Sequence, residues 1–240
     1  MINVEQIYHD YLLSQSKNHI KKYKDFKGWY SASSAGSCFI KQHLRAKGTD
    51  EKPMDERTMR VLRLGTIVHS DIEKALDEGS KNLDKSLVKL YSEKRITLPD
   101  LNVVGHLDIG VYLPPEDKLF VYDVKTAHSF KWRKMFGRTV NRDPKPSVNY
   151  QLQLGTYGMG LGRELECEDV ELGLIWYKKD DSSMKTQPID NVWLDNAYEY
   201  WVELNETLSD SVPDPGSTNA PVYNWECRYC PYKGTECEGI

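Results

Sequence analysis

The chain of 240 residues carries 32 lysines and arginines against 36 aspartates and glutamates, a formal net charge of −4. With 39% hydrophobic and 28% charged residues and a mean hydropathy of −0.63, it is too polar for a membrane protein and too apolar for a disordered one. Its length suits one domain, or one domain with an appendage, and can bury a sizeable core.

The longest apolar runs, such as Leu174-Ile175-Trp176-Tyr177, are far short of the roughly 20 residues that span a bilayer. The N-terminus shows no basic stretch followed by an apolar core, the mark of a secretory signal. The expectation is a cytoplasmic protein with no membrane partner. Five cysteines, an odd number without an export signal, point to a reducing compartment and to metal or cluster ligation rather than disulfides.

In chain order, Ile7, Tyr11, Leu12 and Leu13 recur at helical spacing and predict a helix from Val4 to about Ile20. Lys17, Lys21, Lys22, Lys24 and Lys27 then form a basic run, read as a solvated surface. Ser31-Ala32-Ser33-Ser34-Ala35-Gly36-Ser37 is a small-residue loop whose serine is expected to cap a helix starting near Cys38. Met59, Leu62, Ile67, Ile72 and Leu76 suit an amphipathic helix from Asp55 to about Leu76. Gly65, His69 and Glu73, four residues apart, share one face of it.

A strand is predicted over Val88–Leu98 and a stronger one over Asn102–Leu113, with Leu107, Ile109 and Val111 facing one way and His106, Asp108 and Gly110 the other. The Pro114-Pro115-Glu116-Asp117 turn leads into Lys118–Thr126, read as the partner strand of a hairpin, with Asp123 and Lys125 on one face. Residues 128–146 read as a basic loop. Ser147 opens a helix expected to stop in Gly158-Met159-Gly160-Leu161-Gly162. Strands over about Glu171–Lys178 and Lys185–Val192 and a helix from Asp195 to about Leu208 follow, then a linker, Val212–Ser217, into a cysteine-rich tail. The pattern is mixed α/β.

Three groups in this stretch suit phosphodiester chemistry. A hard divalent cation takes oxygen ligands, and the charge developing on phosphorus needs a cation beside it. Asp108 on one strand, with Asp123 and Lys125 on the next, supplies two carboxylates and an ammonium. Repulsion between such carboxylates is relieved when a metal binds. Asp-x-Lys alone is commonplace; the order and placement of the companion motifs give it meaning.

With Gly65-x-x-x-His69 upstream and Gln153-Leu154-x-x-Tyr157 downstream, the chain resembles the PD-(D/E)XK nuclease superfamily, in its RecB-like exonuclease branch. Leu107 stands where the signature has proline, which removes no ligand. The resemblance implies a restriction-endonuclease-like fold, a mixed sheet flanked by helices. It implies that Mg²⁺ or Mn²⁺ is held by His69, Asp108, Asp123 and the Val124 carbonyl, with a histidine ligand suiting Mn²⁺ better. Lys125 would orient the attacking water or stabilise the phosphorane charge. Gln153 and Tyr157 would bond DNA phosphate or the Lys125 region, or simply pack their helix. Glu73 is the weaker candidate, a water-mediated ligand or a surface charge.

Cys227-x-x-Cys230 with Cys237 beyond makes a tight three-thiol group. Cys38 is the natural fourth, since Cys167 sits in the acidic stretch Glu164–Asp169. One upstream cysteine joined by three near the C-terminus resembles the iron–sulfur subgroup of these nucleases, including the CRISPR-associated Cas-four exonucleases. The resemblance implies a [4Fe–4S] cluster on Cys38, Cys227, Cys230 and Cys237, with structural Zn²⁺ as the alternative because it takes the same donors. Such a group would tie both ends of one nuclease domain, 1–240, in which an N-terminal segment (1–54) and the tail (211–240) flank the core (55–210).

Residues 130–145 interleave six basic residues with Phe130, Trp132 and Phe136. Lys131, Trp132, Arg133, Lys134, Arg138 and Arg142 are therefore expected to grip phosphates and stack unpaired bases. The functional expectation is a metal-dependent exonuclease acting on single-stranded DNA or frayed ends, alone or with recombination, repair or CRISPR-type partners. A structure-specific endonuclease and a non-catalytic DNA-binding subunit are the competing readings.

Overall fold

The computed structural model describes residues 2–24, 27–138, 142–210, 214, 218, 220 and 223–239. In chain order these form α1 (Val4–Lys24), β1 (Tyr30–Ser31), α2 (Phe39–Lys47), α3 (Glu56–Ser80), β2 (Lys89–Leu98), β3 (Val103–Leu113), β4 (Lys118–Ala127), α4 (Ser129–Phe136), α5 (Val148–Leu165), β5 (Asp169–Lys178), β6 (Met184–Ile189) and α6 (Val192–Asp210). The strands make one mixed sheet flanked by helices, in the order β1-β3-β4-β5-β6 with β2 also on β3. This is the expected α/β class.

Local chemistry sets the helix ends. Asp55 caps α3, its carboxylate accepting the Thr58 amide at 2.9 Å. Gly48, at φ +83°, ends α2 in the left-handed conformation that suits glycine. The cap of α2 is Cys38, with no side-chain cap bond, so the expected serine cap is replaced by the cysteine itself.

The sheet explains where a site can form. β2 pairs antiparallel with β3 from Lys89↔Tyr112 to Leu98↔Val103 and occupies one side of it. On the other side β4 pairs only from Leu113↔Lys118 to Ile109↔Tyr122, and β1 takes that side again only at Val103 and Val104. Asp108 falls in the gap. Its Oδ2 accepts the Val124 amide at 2.7 Å, so a carboxylate satisfies a backbone donor that the departing strand leaves without a partner. Beyond the gap β4 continues parallel to β5, from Lys118↔Asp169 to Ala127↔Lys178.

Four expectations are revised. The basic stretch 128–146 is not all loop: α4 begins at Ser129, capped by His128. Leu107 and Ile109 are buried as expected, but so are Asp108 and Gly110, because helices cover both sides of this strand. α5 does not stop at its glycines but runs through them to Leu165. A Cβ on Gly155 would overlap the Trp193 carbonyl of α6, one on Gly158 would meet Leu172 and Leu194, and one on Gly160 would overlap Ile96. These glycines are docking positions rather than stop signals. Finally, of the apolar repeat on α3 only Met59 is buried, while Leu62 and Ile67 are exposed; Leu62 lines a cavity rather than the core.

The core holds Leu107, Leu119, Leu154, Leu161, Leu174, Trp176, Trp201 and Leu204, all essentially without exposure. The side chains of Lys17, Lys21, Lys22 and Lys24 and most of the expected linker, Val212–Ser217, lie outside the described residues. No helix among the described residues is long and apolar enough to cross a membrane.

Candidate active site

A cavity of about 710 Å³ opens at the gap in the sheet, lined by Gly65, His69 and Glu73 of α3, Glu93 of β2, Asp108 of β3, and Gln153 and Tyr157 of α5. Asp108 is 8% exposed and Asp123 1%, burial that carboxylates tolerate only when paired. Asp123 Oδ1 accepts Gln153 Nε2 at 3.0 Å. Asp123 Oδ2 pairs with Lys125 Nζ at 2.6 Å and has no other partner among the described residues. Lys125 Nζ also donates to Gln153 Oε1 at 2.9 Å, so one amide holds both members of the ion pair. Gln153 Nε2 lies 3.4 Å from Tyr157 Oη. Gly105 keeps this corner open, since a Cβ there would meet Ala32 and the Tyr157 ring.

Burial raises the Asp123 carboxyl to about 6; Lys125 opposes the rise and Asp108 adds to it. Burial pulls Lys125 down, but its pairing with Asp123 outweighs this and raises it. Lys125 therefore stays an ammonium near neutral pH, a positive charge held beside Asp123. His69 Nδ1 lies 3.4 Å from Asp108 Oδ2. Burial disfavours its charged form, and Asp108 more than compensates, so its pKa is raised.

Sequence reasoning missed Glu93. The registers Ser92↔Ile109 and Lys94↔Leu107 place it opposite Asp108, yet the ladder skips that pair and Glu93 adopts φ +47°. Partial desolvation, followed by repulsion from Glu73, pushes its carboxyl up to about 7. Its side chain lines the cavity while remaining exposed, so no period-two pattern distinguishes it from any other exposed strand residue.

The profile of the PD-(D/E)XK nuclease superfamily matches residues 41–235. The chain belongs to that superfamily. Among solved structures it is similar to SSO0001, at 16% identity over 95% of this chain and 93% of that one, with a TM-score of 0.48. It is also similar to an alkaline exonuclease of Laribacter hongkongensis, at 15% identity over 78% of this chain and 91% of that one, with a TM-score of 0.47. No curated protein matches.

PD-(D/E)XK nucleases use divalent metals, and the donors here fit one in a particular way. Among the described residues no three of His, Cys, Asp and Glu form a ready metal cage. Two hard carboxylates nevertheless suit Mg²⁺, which keeps several waters and commonly takes only one or two protein carboxylates plus substrate phosphate. His69, expected as a ligand, lines the same cavity beside Asp108.

The thiols are differently placed. Cys227 is buried and Cys38, Cys230 and Cys237 partly so, and the Cys38 pKa is raised chiefly by burial, with Glu226 and Cys227 adding to it. Among the described residues they do not form a three-ligand metal group, although Cys38 and Cys230 each lie near enough to Cys227 to feel its charge. What joins the two ends is polar. Glu226 accepts the Cys38 amide at 3.2 Å and pairs with Lys41 at 2.7 Å, and Lys52 Nζ donates to the Lys233 carbonyl at 2.5 Å.

The expected DNA contacts divide. Arg133, Lys134, Arg138 and Arg142 are exposed, although Lys134 pairs with Asp143 at 3.4 Å and Arg142 Nε donates to the Met135 carbonyl. Trp132 is turned to the core, edge-on to Phe136 at 4.8 Å, and is not presented for base stacking. Phe130, 68% exposed and stacked on His128 at 6.3 Å, is the aromatic that is presented. A helical period across residues 129–136 would have separated the two.

Proposed function

We propose that the chain is a divalent-metal-dependent DNA exonuclease that enters single strands or frayed ends. The observation that carries this is the pair Asp108 and Asp123 on adjacent strands, close enough for their charges to interact, with Asp108 lining the cavity and Asp123 paired to the Lys125 ammonium. Asp108, Asp123 and the Val124 carbonyl would hold the cation. When bound, it would lower the pKa of a water and offset charge on the phosphate. Lys125, kept charged by Asp123 and aimed by Gln153, lies ready for the equatorial oxygens where charge develops. Tyr157 steadies Gln153 from one turn away. The exposed cations Arg133, Lys134, Arg138 and Arg142, with Phe130, support a path for an unpaired strand.

Digestion of end-labelled single strands with Mn²⁺ or Mg²⁺ tests the reading. Cleavage is expected, and Asp108→Asn, which retains an acceptor for Val124, is expected to abolish it. A covalently closed single-stranded circle should survive; if it is cut, the enzyme is an endonuclease. Recombination, repair or CRISPR-type partners and a cytoplasmic location belong to this proposal. The four-cysteine [4Fe–4S] or zinc reading is proposed separately, supported by the nearness of Cys38 and Cys230 to Cys227. Iron, sulfide and zinc analysis of anaerobically purified protein decides it.

A further inference from the structure

The Lys125 ammonium touches more than its carboxylate. It lies 4.6 Å from the centroid of the Tyr150 ring, and the Lys131 ammonium lies 4.4 Å from the same centroid. The two nitrogens are therefore at most about 9 Å apart, around one ring. Lys131 Nζ also donates to Tyr150 Oη at 3.2 Å and lies 5.2 Å from the Trp176 ring. Trp176 is a rigid wall, fully buried, contacted by Phe136 and Tyr150 and anchored through Nε1 to Gln187 at 3.0 Å.

The two cations are compensated differently. Lys125 has Asp123. Lys131 makes no ion pair among the described residues and is held by ring faces and a phenol oxygen. Aromatic faces orient an ammonium without neutralising it. Two like charges sharing one ring repel, and an anion between or beside them relieves that repulsion.

Resting on the nuclease reading above, we propose that Lys131 binds the backbone phosphate next to the one being cut, and that Tyr150 is the positioning residue that holds both ammonium groups at fixed spacing. Lys131 is then part of the active centre and sets the register of the strand, whereas the exposed arginines beyond it only attract. The ligand chemistry is a phosphodiester of an unpaired strand.

The test uses the full chain and a fluorescein-labelled single-stranded oligonucleotide, with binding followed by anisotropy in EDTA over a series of KCl concentrations. Each phosphate contact on a single strand contributes about 0.7 to the log–log salt slope. Lys131→Met should lower the slope by about 0.7 and raise KM by more than it lowers kcat, while Lys131→Arg should keep the wild-type slope. Tyr150→Leu should lower the slope as Lys131→Met does and also lower kcat, because Lys125 loses its ring. Tyr150→Phe keeps the ring and should keep the slope. An unchanged slope in Lys131→Met, with wild-type cleavage intact, overturns the Lys131 assignment alone. A wild-type protein that binds the strand but cuts nothing with either metal overturns the nuclease reading instead, and one that binds no strand at all overturns the assignment.

Discussion

The Asp123→Asn variant should lose cleavage and gain stability. Asp123 is fully buried and its carboxyl is raised from 3.8 to about 6, a rise already net of its attraction to Lys125. A carboxyl whose folded pKa exceeds its unfolded value binds its proton more tightly in the folded state. Its contribution to stability is complete below about pH 4 and is lost as pH rises through 6. At pH 8 the ionised carboxylate therefore costs about 3 kcal/mol. An amide of the same shape avoids that cost. In a chain of this size each kcal/mol corresponds to about 2–4 °C, so in EDTA at pH 8 the variant should melt about 6–12 °C above wild type. The gap should narrow steadily as pH falls from 6 towards 4. Adding Mn²⁺ should raise the wild-type Tm and leave the variant unmoved. A variant that melts below wild type at pH 8, or a gap independent of pH, would refute the reasoning.

Because a proton and a cation compete for Asp123, Mn²⁺ affinity measured by calorimetry should fall about tenfold per pH unit below pH 6, and a flat profile would place the ion elsewhere. Gln153→Leu removes the amide shared by Asp123 and Lys125 and should cut kcat about 10–100-fold without disturbing the far-ultraviolet circular dichroism. Gly155→Ala drives a methyl into the Trp193 carbonyl and should cost about 1–3 kcal/mol or more. Gly79→Ala on α3 meets nothing within 4 Å and should stabilise by about 0.5–1 kcal/mol, so chemical denaturation of the two variants should move in opposite directions.

The hairpin that carries Asp108, Asp123 and Lys125 was legible because alternation, a proline turn and an apolar strand all pointed to the same register. His69 and Gln153 were legible because helical spacing keeps motif residues on one face. Four features were not. Glu93 enters the site only through the pairing of β2 with β3, whose register sets it opposite Asp108. The glycines of α5 look like a terminator until the neighbours that need their missing side chains are known. Trp132 and Phe130 differ by two positions and only the turn of α4 separates inward from outward. Tyr150 lies one helical turn before Gln153, yet nothing in its spacing announces that it faces two lysines.

The Asp108–Val124 contact has an evolutionary consequence. The same oxygen that is offered to chemistry also completes the backbone bonding of a sheet with a missing neighbour, so losing the acid also orphans an amide. A duplicated copy drifting toward a purely scaffolding role could shed Lys125 freely. At position 108 it would keep an acceptor such as asparagine, and its descendants should carry that residue as a scar of former activity.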